Sequence, residues 1–94
     1  MVTMFVKHTV GDYGNWKRIY DEVQPLRKEG GVTSASVYRD TSDPNTLIIT
    51  HQFKDMNAAT AFANSEGLKS ALGKAGVIGA PEFWFGEYIE QTPN

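Results

Sequence analysis

At 94 residues, with 40% hydrophobic and 21% charged side chains, the chain has the size and composition of one globular domain spanning 1–94 and is too apolar for a disordered segment. Nine basic residues against eleven acidic ones give a net charge of −2, with no basic run that could track a phosphate backbone, so no nucleic-acid partner is expected. The lack of cysteine removes disulfides, thiolate metal sites and thiol nucleophiles. With neither an export signal nor an apolar run of roughly 20 residues, the expected location is cytoplasmic, away from any membrane.

The first element expected is a strand over Val2 to Thr9, where Val2, Met4, Val6 and His8 alternate with Thr3, Phe5, Lys7 and Thr9. Gly11 ends it and Asp12 is a candidate N-cap. Tyr13, Trp16, Ile19, Tyr20, Val23 and Leu26 then recur at helical spacing, and Pro25 predicts a kink before the Gly30-Gly31 stop. Gly31 to Asp40 reads as a second strand. The cluster Thr41 to Asn45 supplies turn chemistry, and Thr46 to Phe53 resumes the alternation, so strands two and three form a hairpin. Asp55 can cap a second helix through Ala58, Ala59, Phe62 and Ala63, and Ser65 can restart it through Leu68, Ala71 and Leu72, with Gly73 and Gly76 as stops. After a loop from Val77 to Pro81, the aromatic-rich run Glu82 to Glu90 predicts a fourth strand.

The order βαββαβ predicts an α+β, ferredoxin-like fold: a four-stranded antiparallel sheet with both helices on one face. The other face is expected to carry Phe5, Val37, Ile48, Trp84 and Tyr88 among Thr3, Thr50 and Gln52, too apolar for open water, so a second copy is its simplest cover. The segments Gly31 to Asp40, Asp43-Pro44-Asn45 and Phe53-Lys54-Asp55 resemble the central signature of the antibiotic biosynthesis monooxygenase family. That resemblance implies a homodimeric α/β barrel, with two sheets face to face and a pocket in each subunit between its own sheet and helices. It fixes architecture better than reaction, since such families include cofactor-independent oxygenases of aromatic polyketides, haem-degrading enzymes and isomerases. Haem-degrading relatives carry a Trp and, ten residues later, a His ligand on the second helix. An ungapped match from Lys54 places Phe62 and Leu72 there, and Leu72 cannot ligate iron. Many members have Glu on the third strand where this chain has His51.

His8 and His51 are the only imidazoles, each at the parity of aliphatic strand neighbours, and are the candidate proton-transfer residues. The plain alternative is a core histidine satisfied by one hydrogen bond. They should lie on the order of 10 Å or more apart, so they are not read as a metal pair, and no metal or cofactor is expected. Glu87, at the parity of Phe83 and Phe85, is a third catalytic candidate. Trp16, Tyr20, Phe62, Phe83 and Phe85 are candidate walls for a flat or polycyclic hydrophobic ligand, or simply core. Arg27 could meet an anionic group or merely complement a helix end. Two functions stay open: a cofactor-independent oxygenase, cyclase or isomerase acting on a hydrophobic small molecule, and a non-catalytic binding or structural dimer.

Overall fold

A computed structural model describes residues 1–94. Its elements are β1 (Val2–Val10), α1 (Tyr13–Glu22), α2 (Gln24–Glu29), β2 (Ser34–Arg39), β3 (Thr46–Phe53), α3 (Met56–Ala63), α4 (Glu66–Lys74) and β4 (Val77–Glu87). The strands form one antiparallel sheet in the order β2-β3-β1-β4, the ferredoxin-like arrangement expected from the sequence. No helix is long and apolar enough to cross a membrane.

Each expected helix is divided in two. The Asp12 carboxylate accepts from the Gly14 and Asn15 amides and starts α1. Pro25 sits in the first turn of α2, where its missing N–H has no intrahelical acceptor to lose, so the predicted kink is a complete break at Val23. Asp55 caps α3 through the Ala58 amide, and Ser65 caps α4 through the Leu68 amide. Small residues let these short helices approach closely. A Cβ at Gly30, at the end of α2, would run into the Phe62 ring of α3.

Strand boundaries differ at both edges of the sheet. β2 begins at Ser34 rather than Gly31, because Gly31 turns through φ 90 and the Val32 amide is bonded back to the Arg27 carbonyl. β4 begins at Val77, not Glu82. Its pairing with β1 slips between Lys7↔Glu82 and Thr9↔Ile78, leaving Gly79 (φ 73), Ala80 and Pro81 in a bulge. Being an edge strand, β4 can accommodate Pro81 there without losing a ladder bond.

The core is the helix-side half of the sheet, Met4, Val6, Val10, Leu47, Ile49 and Phe53, packed against Trp16, Ile19, Ala59, Phe62, Leu68 and Ala75. Val37 belongs to this side. Its register partner is Ile49, so it is half-buried against the core and not, as the sequence predicts, on the open face. The open face carries Tyr38, paired with Ile48, and the stacked rings of Phe5 and Trp84, whose centroids are 5.4 Å apart. Tyr38, Ile78, Trp84 and Tyr88 remain 56%, 60%, 42% and 49% exposed, a large apolar area to leave in water.

Candidate functional site

Both histidines stand on the two central strands and project among the core side chains. His51 lies opposite Met4 of β1 and Ala35 of β2, while His8 lies opposite Leu47. Four residues of register therefore separate the two rows, about 13 Å along the sheet. α1 and α3 then provide aromatic walls. On α1, Tyr20 stacks on Trp16 at 4.9 Å, and Trp16 meets the His8 ring edge-on at 5.9 Å. On α3, Phe62 lies 5.7 Å from both His51 and Phe53.

The two histidines with Trp16, Tyr20 and Phe62 border a half-open cavity in which about 50 Å³ is accessible to the centres of water molecules. Ile19, Leu26, Leu68, Leu72, Ala71 and Ala75 supply much of the remaining wall, and its only charged neighbour is Arg27. Arg27 is held by its own helix pair: Nη1 donates to the Tyr20 carbonyl at 2.7 Å, and the guanidinium lies over the Tyr20 ring at 3.8 Å.

Each imidazole is only 5% exposed, yet both nitrogens of His8 and Nδ1 of His51 have no hydrogen-bond partner within the chain. Burial disfavours the charged ring and pushes the His8 pKa down to about 4. His51 is also held at about 4, first by burial, then by the positive charge of Arg27 and by His8. Both rings are therefore neutral near pH 7, with nitrogen lone pairs able to accept a proton.

Of the residues singled out from the sequence, His8, His51, Trp16, Tyr20 and Phe62 border this one cavity. Phe83, Phe85 and Glu87 do not. They share the helix-side parity, but β4 is the edge strand, and beyond its opening residues the helices no longer cover it. Phe83 and Phe85 are 36% and 37% exposed, and Glu87 is exposed at the far end, opposite Val2. No group of three or more His, Asp or Glu side chains is placed to hold a metal ion. The aliphatic lining, Leu68 and Leu72 above all, was visible in the sequence only as a helical apolar face, which does not distinguish a cavity wall from solid core.

No curated protein matches the chain. Among solved structures, SnoaB from Streptomyces nogalater, described as a cofactor-independent oxygenase, superposes with a TM-score of 0.79 at 14% identity, covering 99% of this chain and 97% of its own. A Bordetella bronchiseptica protein provisionally named an antibiotic biosynthesis monooxygenase gives a TM-score of 0.81 at 10% identity, over 95% and 97% of the two chains. The NE2512 protein of unknown function from Nitrosomonas europaea gives 0.70 at 17% identity, over 99% and 93%. At these identities the likeness establishes the fold. The family model for antibiotic biosynthesis monooxygenase matches residues 2–74, and the chain belongs to that family.

Proposed function

We propose that the protein is a homodimeric, cofactor-independent enzyme that moves a proton on a hydrophobic small molecule held between sheet and helices. The observation that carries this reading is a pair of buried, neutral imidazoles, with three ring nitrogens left without a partner, on two residues that line a cavity whose other walls are apolar except at Arg27. A neutral ring beside a bound substrate accepts a proton from an O–H or C–H whose conjugate base spreads onto an adjacent ring or carbonyl. Returning that proton at another atom gives isomerisation or cyclisation. In the oxygenase case the resulting anion supplies its own electrons to O2. A CH2 group becomes C=O, one oxygen atom enters the product and the other leaves as water, so no outside reductant is needed. Membership of the family and the fold shared with SnoaB support the oxygenase form. His51 is the foremost base, His8 the second, and Trp16, Tyr20 and Phe62 orient the ligand.

The open sheet face supports the dimer, since a second copy would cover Phe5, Trp84, Tyr38 and Ile48 together. We expect more than roughly 1,200 Å² of total burial. Light scattering at micromolar concentration should give twice the monomer mass, and a monomer there would remove this part of the proposal.

The test of the chemistry is O2 uptake and product formation across a panel of oxidisable phenols of one to three rings, with the parent and His51→Asn. At least one compound should react faster than in buffer, and His51→Asn should lose at least tenfold of that rate without losing the fold. A ligand that co-purifies unchanged, with no turnover of it or of the panel, would instead establish a carrier.

A further inference from the structure

The cavity beside His51 adjoins a second, wider space, and the two share Tyr20 and Arg27. The second space measures about 520 Å³ on the same basis and opens between α2 and β2, with Gln24, Lys28, Thr33 and Ser34 among its walls. One compartment is thus small and apolar, the other broad and polar, and a guanidinium stands at their junction. Neither is lined by an Asp or Glu.

Arg27 takes part in none of the three salt bridges of the chain, which join Lys17 to Asp21, Arg18 to Glu22 and Lys69 to Glu66. It is half-buried, and its single hydrogen bond within the protein, to the Tyr20 carbonyl, leaves most of its planar fork of donors free. Lys28 adds a second cation on the wider side. A half-buried positive charge facing two acid-free compartments is matched by an anion, and the geometry of a guanidinium suits a carboxylate taken through two parallel N–H···O bonds.

The size of the inner compartment limits the rest of the ligand. A space of about 50 Å³ open to water centres holds roughly three to five waters, or on the order of 100–150 Å³ of liquid, and an apolar void of that size accepts one benzene ring.

We propose that the two compartments form one site for a small amphiphilic acid, with a single ring or equally compact apolar body in the cavity beside His51 and its carboxylate on Arg27. This rests on the cavity being the ligand site, as proposed above, and adds the charge and size of what it takes. A carboxylate on Arg27 also offsets the positive charge that helps to keep His51 neutral. The anionic end of the ligand therefore raises the proton affinity of the ring that faces its apolar end.

The test uses phenylacetate, its uncharged isostere phenylacetamide, and anthracene-2-carboxylate, titrated into the dimer at fixed ionic strength. Binding is followed by calorimetry and by the ring C–H NMR signals of the two histidines, which single-histidine variants assign. Phenylacetate should bind at least roughly tenfold tighter than either other probe and shift the His51 signal. Arg27→Gln should lose that preference for the acid over the amide, and Arg27→Lys should retain part of it. Phenylacetate and phenylacetamide binding equally well at His51 would overturn the anion anchor while leaving the cavity as the ligand site. Anthracene-2-carboxylate binding as tightly as phenylacetate would overturn the size limit. No probe shifting either histidine signal would overturn both this proposal and the reading on which it rests.

Discussion

Lowering the pH from 7.5 to 5 should destabilise this protein through its two buried histidines, well before its carboxylates matter. At pH 7.5 the imidazole of His51 is neutral whether the chain is folded or not. Below 6.5 the unfolded chain takes up a proton, whereas the folded ring resists it until about 4. The unfolded state binds more protons throughout that window, so stability falls as pH falls and levels off below about 4. For His51 the loss at pH 5 is about 2 kcal/mol, out of the roughly 5–15 kcal/mol typical of a domain. His8 acts in the same direction. Asp43, whose carboxylate is held below 3.8 by the Asn45 amide and the Thr46 hydroxyl, contributes stability that is present above 3.8 and lost only below it. Urea unfolding at pH 7.5, 6 and 5, at one protein concentration, measures the effect. His51→Leu should remove the His51 share of the slope. It should also raise stability at pH 7.5 by about 1 kcal/mol, since it deletes a buried nitrogen with no partner. A parent whose stability stays flat from pH 7.5 to 5, or a His51→Leu variant with the parent's full slope, would refute the argument.

Three further changes test the packing that surrounds the site. Gly30→Ala should cost about 1–3 kcal/mol in urea unfolding, because the backbone conformation there suits alanine but the new methyl must displace Phe62 from its place against His51. Asp55→Ala removes the α3 cap and should cost about 1 kcal/mol, with Asp55→Asn recovering most of it. Trp84→Glu places a charge on the open sheet face beside Phe5, and sedimentation velocity should show the proposed dimer shifting to monomer while circular dichroism keeps its αβ signature.

The sheet could be read from the sequence because alternation over Val2 to Thr9 and Thr46 to Phe53 leaves one register in which apolar side chains share a face. The helix starts at Asp12, Asp55 and Ser65 were equally visible, since each needs only a short polar side chain before an apolar period. What failed depended on neighbours. Val37 sits in a run, Ser34 to Arg39, whose two faces are nearly equal in polarity, so only its pairing with Ile49 assigns its side. Val77 and Ile78 looked like loop because Gly79 and Pro81 follow them, and only the pairing with Thr9 and Val10 makes that stretch a bulged strand. Phe83 and Phe85 have the right parity for the cavity, but parity says nothing about how far the helices extend over an edge strand. Arg27 was visible as a cation near a kink. Its place at the mouth of the cavity depends on the break at Val23, which brings the first turns of α2 back over Tyr20.

The chain's two tryptophans lie on opposite sides of the sheet, Trp16 3% exposed against the cavity and Trp84 42% exposed on the open face. Their fluorescence can therefore be divided by substitution into two independent optical channels. With Trp84→Phe, emission reports on the inner wall alone and should respond to ligand but not to dilution. With Trp16→Phe, the remaining indole should shift to the red as dilution separates the proposed dimer and wets the face, and should ignore ligand. A titration in each background then reads occupancy and assembly separately, and any change of one channel in the other's experiment measures directly how strongly binding and association are coupled.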